Sequence, residues 1–336
     1  MTSAHPVTVD RAVGALLTMA VGDSLGFLVS GEGPAYAADF ARHSLTQDEP
    51  PWLEKDGYAF GQYAIDTQLA RELARSCIES KGFSPHLFAA RVGDLFGTQR
   101  ALGAGVATSR AGQRLADDMA WAQAGEPAPA CGNGAIVRAV PLGLAFKSRK
   151  HRQGTARMQT IVTHHDERAQ AAAEVVVEAV FLAATQPDPF DADIIQHLAA
   201  CAEEMDPRLA SSLRTLDRAL SASHDRAVAH IAAAGRVVQD GYPAATTIAG
   251  FCAPTVLYAL YAFMRAPDSP EESLAIALSG GGDLASLGAL TGALAGARKG
   301  WKALGPRLQG WAKHLNDHGE HGPNDLVALA KALVHR

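Results

Sequence analysis

Apolar residues recur at helical spacing along almost the whole chain. In Ser279–Trp301 (SGGGDLASLGALTGALAGARKGW), Leu287, Leu290 and Leu294 mark a buried stripe. Gly288, Gly292 and Gly296 fall every four residues on another face, so the backbone of a neighbouring helix can approach closely. Asp283 follows three glycines at the start of this helix, where free N–H groups and the helix dipole favour a carboxylate or a phosphate. It is equally an ordinary N-cap. The same periodicity predicts helices over Val9–Phe27, Gln62–Ser80, Pro85–Phe96, Thr108–Ala122, Ala169–Ala184, Ala192–Glu204, Pro207–Ala222, Asp225–Val238 and Ala244–Met264. The last is nearly all apolar and belongs in the core. From Ser30 to Gly57 the pattern dissolves into Gly, Pro and charge, which reads as a long loop, functional or a surface excursion. The fold class is all-α: one compact multi-helix domain over residues 1–336, with a core at about 9–301 and a C-terminal helical extension at 302–336.

Composition narrows the function classes. The 336 residues are 48% hydrophobic, enough for a large core, and the net charge of −5 gives no footprint for nucleic acid. No apolar run free of glycine and charge is long enough to span a bilayer, and the start MTSAHPVTVDRAV lacks the build of a secretory signal. Cys77, Cys131, Cys201 and Cys252 are scattered without a C-x-x-C pair and read as reduced thiols. The expectation is a soluble cytoplasmic protein with no membrane partner.

Candidate chemistry sits at helix starts and turns. Asp23 lies between glycines near the end of the first helix, and Asp66-Thr67 lies in the first turn of the second. The turn Leu102-Gly103-Ala104-Gly105 could receive a phosphate on its N–H groups. Asn133, between Gly132 and Gly134, suits a left-handed turn before a helix. Arg138 follows in apolar surroundings and needs a partner; an ion pair with Asp23 or Asp66 is expected. Thr163-His164-His165-Asp166 precedes a helix that Thr163 or Asp166 can cap, and a histidine there is expected to be structural. His314, Asp317, His318 and His321 have metal-like spacing, but their polar, glycine-rich surroundings read as a solvated helix end. There is no Walker loop, no G-x-S-x-G and no Rossmann context for the glycines.

In order, GALLTMAVGDSLG, AIDTQLARELA, GNGAIVRAVPLGLA, THHDERAQAAA, APTVLYALYAF and GGDLASLGALTGALAGA resemble the ADP-ribosylglycohydrolase family (dinitrogenase reductase-activating glycohydrolase-like) over about Gly14 to Gly300. The resemblance implies an all-helical domain whose helix starts line a pocket for two Mg²⁺ ions and for the ADP-ribose of a modified protein side chain, with hydrolysis at the anomeric carbon. Such a family supplies metal oxygens as a Thr/Ser-Asp-Asp run and an Asp-x-Asp-Thr/Ser run. Here the runs read Ala64-Ile65-Asp66 and Asp283-Leu284-Ala285-Ser286, and a glutamate past the GDxxG turn is replaced by Ser30. The metal ligands left are Asp66, Thr67, Asp283 and Ser286, which implies one Mg²⁺ with waters, or no metal. By resemblance Asp66 and Asp283 are the catalytic pair, and Asp23, Gly103, Gly105, Asn133, Gly134, His164, Gly281 and Gly282 bind substrate. The substrate is then ADP-ribose on a protein side chain, or a related ribosyl compound. The alternative is a catalytically inactive relative that binds ADP-ribose or a nucleotide as a sensor or partner-binding module.

Overall fold

The computed structural model describes residues 6–186, 188–234 and 246–335. The chain runs through α1 (Val9–Val29), α2 (Pro34–Ser44), the hairpin strands β1 (Glu54–Lys55) and β2 (Tyr58–Ala59), α3 (Ile65–Glu79), α4 (Pro85–Gly97), α5 (Val106–Ala116) and α6 (Trp121–Ala124). Strand β3 (Glu126–Pro127), α7 (Gly134–Val137), α8 (Val140–Ala145), α9 (Arg149–Ile161), strand β4 (His164–His165) and α10 (Glu167–Thr185) follow. The second half holds α11 (Ala192–Ala202), α12 (Pro207–Arg214), α13 (Leu216–Ser221), α14 (His224–Ala232), α15 (Cys252–Arg265), α16 (Pro270–Leu278), α17 (Leu284–Lys299), α18 (Pro306–Trp311) and α19 (Pro323–Val334). The two strand pairs, antiparallel β1–β2 and parallel β3–β4, are two residues long. The fold is all-α.

Its axis is the pair α1 and α17, which make the most extensive contact in the molecule. The predicted glycine face of α17 meets a matching face on α1. A Cβ built on Gly288 would lie 2.2 Å from the Gly22 carbonyl oxygen, and one on Gly22 would lie 2.0 Å from that of Gly288. Gly292 and Gly296 meet Thr18 and Gly14 in the same way. Helix α1 is long and apolar enough to cross a membrane, but its apolar stretch is wholly buried inside the protein, so it is a core helix.

Several boundaries differ from the periodicity. Residues 30–57 are not one loop: they contain α2 and the first hairpin strand. The buried side of α2 is Ala37, Ala41 and Ser44, a stripe of small residues that gives little apolar signal. The segment predicted as Thr108–Ala122 divides into α5 and α6, and Pro207–Ala222 divides into α12 and α13. The core helix starts at Cys252 rather than Ala244. Residues 246–251 stay extended because Ile248 exchanges backbone hydrogen bonds with Gly280 and Asp283, and Gly250 accepts from Asn133. Ala244, Ala245 and the end of the predicted Asp225–Val238 helix lie outside the described residues.

The predicted C-terminal extension is integrated, with α19 packed on α1, α3 and α8. Nor is the histidine-rich turn before it a solvated helix end. Asp317 is fully buried there, accepting hydrogen bonds from Gln68 Nε2 (2.7 Å) and Arg71 Nη1 (2.6 Å) on α3. The tie fixes the helix that carries Asp66. Asp317→Ala removes one of the two buried carboxylates that pair with Arg71, leaving Glu72 (2.8 Å), and strips Gln68 of an acceptor. It is expected to cost about 3 kcal/mol of unfolding free energy in denaturant titrations, and a loss under about 1 kcal/mol would refute the tie.

Candidate active site

Helix α3 starts at Ala64, which has no side chain able to cap it. The cap comes from α1: Asp23 Oδ2 accepts the Thr67 N–H at 2.9 Å. Asp23 is therefore a buried brace behind the site, absent from the cavity wall. Burial pushes its pKa up to about 7 against the opposing hydrogen bonds of Thr67. The folded protein thus holds a proton that the unfolded chain releases above its ordinary value of 3.8, so this stabilisation is whole below about pH 4 and lost as pH rises through about 7. In the presence of a chelator, the unfolding free energy of Asp23→Asn relative to the parent is expected to climb across that window, by up to ~1.4 kcal/mol per pH unit. A constant difference between pH 4.5 and 7 would contradict it.

Asp66, 2% exposed, stands in the first turn of α3 and faces Asp283, the N-cap of α17. Ser286 lies between them, its Oγ 2.7 Å from Asp66 Oδ2 and 3.1 Å from Asp283 Oδ2. Asn133 donates from Nδ2 to Asp283 Oδ2 (2.9 Å) and to Thr255 Oγ1 (3.0 Å). Ser286 has one hydroxyl hydrogen for two carboxyl oxygens. Burial, then the charges of Asp23 and Asp283, hold the Asp66 pKa well above the usual carboxyl range. A proton on Asp66 completes the chain: Asp66 donates to Ser286, which donates to Asp283.

These groups open into a cavity of about 900 Å³, within the size range of small-molecule sites. Asp66, Asp283, Ser286, Asn133 and His164 line it, as do Gly103, Gly105, Gly134 and Gly282. Thr67 and Gly281 are not on its wall. Gly281 turns the other way, where a Cβ would meet Thr247 and Pro34. At Gly282, with φ of +78°, a Cβ would lie 2.0 Å from the Ile248 carbonyl oxygen, so only glycine lets the chain turn into Asp283. Asn133 is not left-handed: with φ −79° and ψ −10° it leads directly into α7.

Arg138 is fully buried but forms no ion pair with Asp23 or Asp66. Its Nε donates to Gln159 Oε1 (2.8 Å), and its Nη2 donates to the Gln159 carbonyl (2.9 Å) and to Thr163 Oγ1 (2.7 Å). Gln159 in the last turn of α9 and Thr163 just beyond it take these donors in place of the aspartates, while Nη1 is buried with no hydrogen-bond partner among the described residues. Thr163 Oγ1, already accepting from Arg138, lies 2.7 Å from His164 Nδ1. With the Thr163 hydroxyl hydrogen on that nitrogen, the ring hydrogen lies on Nε2, which faces Gly132 and the cavity. Burial and the charge of Arg138 push the His164 pKa down to about 3. His164 is thus a neutral donor at the cavity wall.

Sequence reasoning missed part of the wall. Lys55, on β1, donates to the Ser30 carbonyl and lies over the Phe27 ring (5.5 Å to its centroid), and Thr108 and Phe251 also face the cavity. A single lysine or phenylalanine outside a periodic stretch leaves no signal in the sequence.

The oxygens of Asp66, Asp283 and Ser286 are the hard donors that Mg²⁺ takes, and Asp66 Oδ1 is buried with no hydrogen-bond partner. They fit one ion completed by water or substrate. Ala64, Ile65 and Ala285 line the same cavity with hydrocarbon side chains, and among the described residues no group of three or more His, Cys, Asp and Glu side chains is placed to hold a metal.

The profile of the ADP-ribosylglycohydrolase family matches residues 4–336. An uncharacterised protein of Archaeoglobus fulgidus is 28% identical over 284 residues, covering 84% of this chain and 86% of that protein. A solved structure described as an ADP-ribosylglycohydrolase-related protein complex superposes with a TM-score of 0.66 at 26% identity, covering 97% of this chain and 98% of that one.

Proposed function

Because the chain belongs to the ADP-ribosylglycohydrolase family, we propose that it hydrolyses the bond between ADP-ribose and a protein side chain, or a closely related ribosyl bond, with at most one metal ion. The observation that carries this reading is the single Ser286 hydrogen between two carboxyl groups in unequal surroundings, at the wall of a nucleotide-sized cavity. Paired carboxyls held in different environments are the usual equipment for cleaving a glycosidic bond.

The roles divide by environment. Asp66, protonated by burial, gives its proton to the leaving atom as its bond to the anomeric carbon breaks. Asp283, oriented by Asn133 and Ser286, takes a proton from the water that bonds to that carbon, and its charge opposes the positive charge developing on the sugar ring. His164 Nε2–H and the N–H groups around Gly103 and Gly105 are available to ligand oxygens. A Mg²⁺ ion, if bound, would be held by Asp283 and Ser286 with water and would supply a point charge for substrate oxygens; with Asp66 as a further ligand, that carboxyl would be ionised and could not also serve as the acid.

The test is incubation with an ADP-ribosylated protein, with and without a chelator, scored by chromatographic release of ADP-ribose. Release that survives the chelator, or falls with it to a residual level, supports the reading. No release from any ADP-ribosylated side chain, alongside tight ADP-ribose binding, would favour a second reading: a binding module without turnover. The hydrocarbon lining at Ala64, Ile65 and Ala285 is what speaks for that alternative.

A further inference from the structure

Two cysteines from distant parts of the chain oppose each other beside the cavity. The isolated antiparallel bridge between Gly132 and Phe251 sets Cys131 across from Cys252, and the Cys252 N–H donates to the Cys131 carbonyl at 3.1 Å. Residues opposed across an antiparallel pair stand about 4.5–5.5 Å apart at Cα. That lies within the ~4.4–6.8 Å that a disulfide bridges without backbone movement. Cys252 Sγ–H donates to the Gly132 carbonyl oxygen at 3.1 Å, which places its sulfur against the residue that follows Cys131.

The two sulfurs have unequal surroundings. Cys131 is half-buried and lines the cavity, whereas Cys252 is buried. The hydrogen bond from Cys252 and the charge of Arg168 hold the Cys131 thiol below its ordinary pKa, while burial raises that of Cys252. One sulfur is reachable and activated, and the other waits behind it. Cys77 and Cys201 are buried away from the cavity wall, and burial pushes Cys201 up to about 11.

The geometry points to Cys131 and Cys252 as a redox modification site that takes a small disulfide oxidant of the glutathione type. The Cys131 thiolate attacks one sulfur of the oxidant, forming a mixed disulfide and releasing one thiolate. Cys252 gives its proton to that thiolate or to water, then attacks Cys131 Sγ and releases the second. Two protein thiols become one disulfide, and the oxidant is reduced to two thiols. The new bond joins the loop that holds Asn133 to the start of α15, which holds Thr255, two groups that position Asp283. This chemistry does not depend on which ligand the cavity takes.

The experiment treats the reduced, folded protein with excess oxidised glutathione, quenches with an alkylating agent under denaturing conditions and maps the four cysteines by mass spectrometry. The expected product has lost two of its four alkylatable thiols, yields a Cys131–Cys252 cross-linked peptide and keeps Cys77 and Cys201 alkylated. Cys252→Ser should stop at a glutathione adduct on Cys131, and Cys131→Ser should take up none at Cys252. A persistent adduct on Cys131 in the parent protein, earlier loss of Cys77 or Cys201, or no loss of any thiol overturns the proposal.

Discussion

Asp283→Asn is expected to lower turnover of an ADP-ribosylated substrate by roughly 10³-fold or more, while the protein stays folded and still binds ADP-ribose. The fold should survive because asparagine caps a helix about as well as aspartate does, so the start of α17 keeps its cap. The one amide oxygen of asparagine either keeps the Ser286 N–H cap in the place of Oδ1 or keeps the bond from Asn133 Nδ2, now 2.9 Å away, in the place of Oδ2. What disappears is the negative charge and the basic oxygen, the two properties assigned to Asp283 in the reaction. Rates with saturating substrate, read beside a thermal melt and a binding isotherm, separate the cases. A turnover within tenfold of the parent would remove Asp283 from the role of base. A lost melting transition would show that its structural share is the larger one.

Gly288→Val is expected to be the most damaging single change for stability. Even a bare Cβ there would sit 2.2 Å from the Gly22 carbonyl oxygen, and the obstacle is the backbone of a buried helix, which has no rotamer to move into. The two helices must separate along the axis of the core, stripping contacts from Gly14 to Gly296. Such losses reach about 4 kcal/mol or more, a large part of the roughly 5–15 kcal/mol that holds a domain folded. Insoluble expression, or a melting temperature lowered by about 10 °C or more, is the expected readout. Gly154→Ala is the matched control: Gly154 lies inside α9 with nothing within 4 Å of an added Cβ. That change is expected to raise stability by about 0.5–1 kcal/mol through helix propensity. If both substitutions were neutral, close backbone packing would not be what holds the axis.

The legible parts of this molecule are those in which a large apolar side chain recurs at a fixed interval. Leu287, Leu290 and Leu294 announced α17, and Leu69 and Leu73 announced α3. Where the buried side is alanine and serine, as in α2, the stripe is too faint to separate from a loop. The start of α15 was misplaced because composition favours helix through Ala244–Gly250, whereas backbone pairing with Gly280, Gly282 and Asn133 holds residues 246–251 extended. That pairing is made by main-chain atoms, which carry no residue identity. Asp66 and Asp283 are legible as acidic residues at helix starts, which is an ordinary place for them, and only the family resemblance makes them a catalytic pair. Their meeting through Ser286, the bracing of α3 by Asp23 and the partnering of Arg138 by Gln159 each depend on distant segments arriving together.

The interlock of α1 with α17 also has a bearing on synthesis. Helix α1 has its principal partner, α17, far along the chain, so its small-residue face stays uncovered until α17 has been made. Asp66 and Asp283 come from the two halves of the same chain and share Ser286, so no N-terminal fragment can assemble the pocket. Folding should therefore wait on long-range closure rather than proceed helix by helix, and the nascent chain should spend that interval as a client for factors that shield apolar helices.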